Sequence, residues 1–364
     1  MRTELFDYLL PQERIAIRPP QQRDAGKMLV LSASPDGSAS HDFRDAQVNE
    51  FVHYLEPGDL LILNQTRVRQ ARLKARRPTL PGGGGGGQVE LLFLNPLQEG
   101  RWEALGKANR SLRVGDRLSA GQEELVVRAR DAAGVLEIEV QGDLESLLVE
   151  EGEMPIPPYL NRESEPQDRQ RYQTVFAEHL GSAAAPTAGL HLTEAALAQI
   201  QEKGVEVARL TLHVGVGTFR PVGVEDLDEH PMHSEWIDVS AETCAAVHRV
   251  KSQGGKVWAV GTTAVRALES AAQFTSEPSK SLGRLDPYRG QTDLLIQPGF
   301  EFLVVDGLLT NFHQPKSTLL ALVSALTGRE RLIAAYEHAL NHDYRFLSYG
   351  DAMVILPENR SEVL

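Results

Sequence analysis

Apolar positions along the chain fall into short blocks, and the texture of those blocks changes twice. LVLSAS (29–34) and DLLILN (59–64) are continuous apolar runs that predict buried strands, with EPGD (56–59) bending the chain ahead of the second. Between about 68 and 150 the blocks shorten to VELLFL, RWEAL, LVVRAR and VLEIEV, separated by the turn signals VGD, AAG and QGD. That spacing predicts a small all-β module of barrel type. PGGGGGG (81–87) falls inside it and predicts a hairpin loop without catalytic content, because nothing like G-K-[ST] follows.

Beyond EGEMPIPPYLNR (151–162), a Pro-rich return linker, and QRYQTVFAEHL (170–180), the period lengthens. LTEAALAQIQEK predicts a helix begun by Thr193 and stopped at Gly204, and VEVARLTLHV (205–214) alternates as a strand. AETCAAVHRVKSQGG, TTAVRALESAA, STLLALVSALTG and RERLIAAYEHALNH predict helices. KVWAVG, DLLIQPG, FEFLVVDGLLTNF and DAMVIL predict strands. Strands alternating with helices argue for an α/β main domain of mixed α+β character, residues 1–67 plus 154–364. An inserted small β-barrel-like domain, residues 68–153, interrupts it.

Composition narrows the setting. The 364 residues suit one large domain or two ordinary ones, and 41% are hydrophobic, enough for a sizeable core. No window approaches a run of about 18 apolar residues, so no membrane span is expected. The N-terminal stretch has no apolar segment long enough for a signal peptide. A single cysteine, Cys244, excludes an internal disulfide and any cysteine-based zinc site, which fits a reducing, cytoplasmic compartment. The net charge of −13 argues against indiscriminate nucleic-acid binding. RVRQARLKARR (67–77) is the exception, with six basic side chains and no acidic one. It reads either as a solvated face or as a local patch for folded RNA.

Polar residues concentrate where predicted strands end, the places that line ligand sites in α/β folds. PTAGLHLTE offers Thr187 and His191; LHVGVGTFRPV offers His213, Thr218 and Arg220 around two glycines. HPMHSEW brings His230, His233 and Glu235 together, but the His spacing of three with an intervening Pro does not match a helical metal pair. No metal site is expected. VWAVGTTAVRALES places Thr262 and Thr263 at a helix start, where free N–H groups attract anions, with Arg266 one turn on. TNFHQPKST supplies Asn311, His313, Lys316 and Ser317 before an apolar helix; a cap explains one hydroxyl and leaves the rest unexplained. YRFLSYGDAM adds Arg345, Ser348, Tyr349 and Asp351. Each junction has a plainer reading as a helix cap with a buried side chain. Taken alone they indicate an enzyme with a metal-free polar site for an anionic group.

Together, FDYLLPQERIAIRP, LNQTRVRQARL, YQTVFA, PTAGLHLTE, LHVGVGTFRPV, MHSEW, GTTAVRALES, PGFEFLVVDGLLTNFHQPKSTLLALVSAL and YRFLSYGDAM closely resemble, in order, the S-adenosylmethionine:tRNA ribosyltransferase-isomerase family of queuosine biosynthesis. The resemblance spans nearly the whole chain. It implies an α/β domain with an inserted barrel-like domain. It also implies transfer of the ribosyl part of S-adenosylmethionine to 7-aminomethyl-7-deazaguanine in a tRNA anticodon. Epoxyqueuosine forms, and adenine and methionine leave. The chain departs from the family at Gln291, Leu295 and Gln297, where aromatics are usual, at Leu192, where Phe is usual, and at Lys107–Arg110, which lacks a Pro.

That reaction needs a base beside the sulfonium, help for the departing adenine, and loss of a proton from the aminomethyl group. His213, His233 and His313 are the expected proton carriers, with Glu235 and Asp351 as carboxylate alternatives. Thr187, His191, Thr218, Thr262, Thr263, Arg266, Asp293, Asn311, Ser317 and Tyr349 are expected to bind substrate; Arg67, Arg69, Arg72 and Lys316 are expected to meet tRNA phosphates. S-adenosylmethionine is expected to be consumed, with no retained cofactor, by a cytoplasmic monomer. The rival readings are an S-adenosylmethionine-dependent tRNA methyltransferase and a non-catalytic tRNA-binding protein.

Overall fold

The computed structural model describes residues 1–33, 43–78, 86–215, 222–275 and 285–358. A nine-stranded mixed sheet runs in the order Tyr288–Thr292, Glu235–Val239, Glu206–His213, Leu60–Asn64, Val257–Val260, Gly307–Asn311, Ala352–Leu356, Lys27–Ser32, Arg44–Gln47. Its centre is parallel: Leu60–Asn64 pairs in parallel with Glu206–His213 and Val257–Val260, which pairs in parallel with Gly307–Asn311. Antiparallel pairs flank that centre on both sides.

Leu60–Asn64 and Val257–Val260, at the middle of that centre, are almost wholly apolar because both their faces are covered. Successive side chains point to opposite faces, so one strand feeds two cores. Leu60, Ile62, Val257 and Ala259 join the core under the helices Ala241–Ser252, Thr262–Gln273, Thr318–Thr327 and Arg329–Asn341. Leu61, Leu63, Trp258 and Val260 join the second, with Ile200 of the helix Glu194–Glu202. Thr193 and Ser317, caps expected from the sequence, accept the amides of Ala196 and Leu320, and Ser240, which that reading did not name, accepts the amide of Thr243.

The insertion is a closed six-stranded antiparallel barrel, ordered Leu136–Val140, Arg101–Ala108, Gln88–Pro96, Arg72–Arg76, Arg117–Ala120, Glu123–Arg130. Alternate residues such as Leu73, Val89, Leu91, Phe93 and Ile138 fill it. Leu144, Leu147 and Leu148 of the helix Leu144–Glu151 complete that core, an element the sequence reading does not anticipate. The two ends of the insertion lie side by side, since Arg72 and Glu153 exchange backbone hydrogen bonds of 3.2 and 2.8 Å. Most of the predicted hexaglycine hairpin, 81–85, lies outside the described residues.

One expectation needs correcting. DLLIQPG and the first half of FEFLVVDGLLTNF do not form strands; only Gly307–Asn311 does. The amides of Leu303, Val304 and Val305 are taken instead by the buried carboxylate of Glu269, at 2.9, 3.0 and 2.9 Å. A side chain thus substitutes for a strand neighbour. No helix among the described residues is long and apolar enough to cross a membrane.

Candidate functional site

A cleft of about 830 Å³ opens where the parallel strands end. Its wall includes Val214, Gly261 to Thr263, and Thr310 to His313, which lie at or just past the carboxyl ends of three strands of the central sheet. Ala184 to Ala188, Tyr159, Ser317, Leu347 and Ser348 close the remainder.

One side of the cleft is built around Arg266. This residue is 7% exposed, and its Nη1 pairs with the buried Glu235 carboxylate. Its Nε donates to the Leu294 carbonyl at 3.1 Å, while Nη2 is buried without a partner. Glu235 accepts the Gly215 amide at 2.8 Å through its other oxygen. Gly261 precedes the helix Thr262–Gln273 at φ +87°, a conformation suited to glycine, and supplies no side-chain cap. Thr262 and Thr263 therefore present an uncapped helix start to the same cleft as the unused guanidinium nitrogen. Asn64, ending a buried strand, holds this corner together: its amide donates to the Leu212 carbonyl (3.0 Å) and to the Thr263 hydroxyl (3.2 Å).

Asn311 and His313 make the opposite side. Asn311 Nδ2 donates to the Leu347 carbonyl at 3.2 Å and lies 3.0 Å from His191 Nε2; its Oδ1 is buried without a partner. His313 Nε2 meets the Thr310 hydroxyl at 3.0 Å, and its backbone is held by Tyr336 and Tyr8. Burial pushes the His313 imidazole down to about 3, so it is neutral across the physiological range. Ser317 is the cap of the following helix and also donates to the Gln314 carbonyl at 2.8 Å, so it serves both architecture and cleft wall.

The structure gathers Thr187, Glu235, Thr262, Thr263, Arg266, Asn311, His313 and Ser317 into this one cleft. Other predicted site residues lie elsewhere. Strand alternation sends Val214 into the cleft wall and turns His213 away, to bond Thr66 at 2.7 Å and stack on Trp236. Burial, then the charges of Arg69 and His179, lower the His213 imidazole to about 4. His233 and Asp293 are exposed and outside the lining. Asp351 accepts the amides of Lys27 (2.8 Å) and Arg345 (2.7 Å), a turn-fixing role, and burial raises its carboxyl. His191 and Tyr349 line a smaller adjoining hollow with Arg23 and Arg171; burial lowers His191 to about 4. Thr218 and Arg220 lie outside the described residues.

The basic run is largely engaged within the protein. Arg69 pairs with Glu145 at 2.8 Å and lies over the Trp102 ring, and Arg72 donates to the Ile156 carbonyl. Lys316 pairs with Asp7 at 2.8 Å, whereas Arg67 is exposed. Asn64, Tyr159 and Thr310 belong to the site or its support but have no role in the sequence reading, whereas Ser348, noted there among the polar residues of YRFLSYGDAM, does line the cleft. A polar residue closing an apolar strand, as in LLILN, is the signal that finds Asn64.

A profile of the family described as "Queuosine biosynthesis protein" matches residues 3–355. The chain is 50% identical over 363 residues to the S-adenosylmethionine:tRNA ribosyltransferase-isomerase of Synechococcus sp. (strain CC9605), covering 97% of this chain and 94% of that protein. It is 44% identical over 358 residues to the protein of the same name from Francisella tularensis subsp. novicida, covering 98% and 100%. Among solved structures, the S-adenosylmethionine tRNA ribosyltransferase of Thermotoga maritima matches with a TM-score of 0.53 and 32% identity, over 97% of this chain and all of that one.

Proposed function

The chain belongs to the queuosine biosynthesis family of S-adenosylmethionine:tRNA ribosyltransferase-isomerases, and from that premise we propose how its cleft carries the family's reaction. The ribosyl part of S-adenosylmethionine goes to 7-aminomethyl-7-deazaguanine in tRNA and is isomerised to epoxyqueuosine, with adenine and methionine released. The single observation that carries the site assignment is Arg266 Nη2, buried without a partner beside an uncapped helix start.

A carboxylate is the ligand that such a corner accepts: two backbone amides and one guanidinium arm converge on a negative group. We assign it the methionine carboxylate. Glu235 holds the guanidinium in place from the other side. Asn311 Oδ1, an acceptor in want of a donor, is assigned to a ribose hydroxyl. Among the described lining residues, Glu235 is the one carboxylate and His313 the one imidazole. Glu235 is engaged with Arg266, so His313 is assigned the proton beside the sulfonium. Its neutral ring is able to accept a proton, and the role requires Nε2–H to donate to the Thr310 hydroxyl, 3.0 Å away, so that Nδ1 carries the lone pair. A site this dry weakens an isolated base. The carbanion formed next to the new imidazolium offsets that weakness by direct charge pairing.

Exposed Arg67 is the basic residue we assign to tRNA phosphate. In this reading residues 68–153 form a separate inserted unit on a body of 1–67 and 154–364. The protein acts as a cytoplasmic monomer, retaining no cofactor. The test is incubation with ribose-labelled S-adenosylmethionine and tRNA carrying the precursor base. Label in the RNA with stoichiometric adenine and methionine is expected. S-adenosylhomocysteine would instead indicate methyl transfer, and salt-sensitive tRNA binding without consumption of the donor would indicate a binding protein.

A further inference from the structure

On the sheet edge formed by the strand Arg44–Gln47, three ligand-type side chains converge. His338 and His342 stand one turn apart at the end of the helix Arg329–Asn341, with rings stacked at 3.9 Å. Asp45 reaches them from the edge strand Arg44–Gln47, nearly three hundred residues earlier. One ligand atom from each of the three lies within 4.8 Å of the others. We propose that Asp45, His338 and His342 form a binding site for a divalent transition-metal ion of the Zn²⁺ type, tying the helix end to the edge strand.

Spacing is the first argument. Histidines at i and i+4 share one helix face, the arrangement two ligands of a single ion require. A tetrahedral ion about 2.0–2.1 Å from each ligand separates its ligand atoms by roughly 3.3 Å. His338 Nε2 lies 3.2 Å from both oxygens of Asp45, a hydrogen bond its N–H donates; a bound ion replaces that bond and releases the Nε2 proton to solvent.

Support behind the ligands is the second argument. His342 Nδ1 meets the His338 carbonyl at 2.7 Å. A carbonyl only accepts, so Nδ1 carries the proton and Nε2 keeps a bare lone pair. Tyr344, whose ring is buried, donates its hydroxyl to Asp45 at 2.5 Å and fixes the carboxylate. Metal ligands are commonly oriented by such outer partners, whereas a chance surface His–Asp pair has no need of them. Phe43 packs against the His338 ring. Imidazole and carboxylate together suit Zn²⁺, Co²⁺ or Ni²⁺ better than Mg²⁺ or Ca²⁺, which favour all-oxygen shells.

The surroundings leave room for the ion's remaining ligand. Asp45 and His342 are exposed and border an open hollow shared with Lys27, Gln47, Glu50 and Tyr344. The Lys27 ammonium borders the same hollow, and it is occupied by the His342 carbonyl at 2.7 Å and the Tyr344 ring.

The test uses full-length, tag-free, metal-depleted protein titrated with Zn²⁺ or Co²⁺ alone. One saturable ion per chain is expected, with visible Co²⁺ absorption typical of four-coordinate nitrogen and oxygen ligation and a rise in Tm. His342→Gln and Asp45→Asn, both at exposed positions, should abolish the saturable binding and the Tm rise while circular dichroism stays native. Tyr344→Phe should weaken binding about ten- to a hundredfold, the usual cost of losing an outer partner. His53→Gln, another exposed histidine, should bind as the wild type does. The proposal is overturned if wild-type protein takes up no stoichiometric ion, or if the His342 and Asp45 variants bind as it does. No arm of this test reads catalysis, so its failure leaves the cleft assignment untouched.

Discussion

The cleft and the barrel are both rich in charged and polar side chains, and they place them in opposite ways. Around the barrel, arginines find a carboxylate on a neighbouring strand: Arg128 with Glu139, Arg101 with Glu137, Arg117 with Glu124. Each pair is at least partly exposed and matches its charges, although Arg101 Nε is itself buried without a partner. The cleft instead buries Arg266 and Asn311 and leaves an atom of each unmatched. Burying a polar group without a partner costs on the order of 1–3 kcal/mol. A fold that keeps two such atoms in one cavity, while pairing its surface charges, holds them ready for something that binds there. The basic run of 67–77 follows the barrel's habit. Arg69, Arg72, Lys74 and Arg77 all have protein partners, so net positive charge in a sequence window overstates what is open to a polyanion.

The contrast can be broken most directly at Arg266. Arg266→Gln removes the guanidinium that offsets the buried Glu235 charge, so a stability loss of about 3–5 kcal/mol is expected, together with loss of S-adenosylmethionine binding. Denaturant unfolding and calorimetry check the two effects, and a stable variant that still binds the donor would erase the difference between the regions. Next is His313→Gln, expected to lower kcat by about 10²–10⁴-fold at saturating substrates with Tm little changed. Unchanged turnover would remove the imidazole from the reaction.

Acid sharpens the comparison further. His191, His213 and His313 are held down to about 4, 4 and 3 by burial, below the ~6.5 of an unfolded histidine. The unfolded chain therefore takes up protons first. Stability is fully present above about pH 6.5 and is lost as pH falls toward 4 and below. Residues 68–153 contain no histidine, so this loss should be confined to the main body. Hydrogen exchange at pH 7 and pH 5 should show protection falling in the central sheet more than in the barrel. The smallest effect belongs to the barrel surface: Arg128→Ala, which removes a solvent-screened pair, should leave the unfolding midpoint close to that of the wild type in the same assay.

Much of this architecture was legible because the central strands are apolar runs with polar residues at their ends. Gly261-Thr262-Thr263 and Asn311 to Ser317 announced the cleft that way. What escaped depended on atoms distant in sequence or on the phase of the pleat. His213 and Val214 are neighbours in a polar-looking motif, and only alternation decides which one faces the cleft. YRGQT carries no apolar alternation, so the edge strand Tyr288–Thr292 gave no signal. The apolar stretch 300–306 looked like a strand, and only the distant Glu269 explains why it is not. His338 and His342 stood in a predicted helix, but Asp45, their third member, is invisible from there.

The chain enters and leaves the inserted module through a single doorway, Arg72 beside Glu153. Splicing the main body shut at that point leaves little gap to span, so a gene lacking the module encodes a chain whose remaining ends already meet. Comparing such a shortened enzyme with its parent on free donor and on whole tRNA would divide the labour of holding the nucleic acid from that of rearranging the sugar.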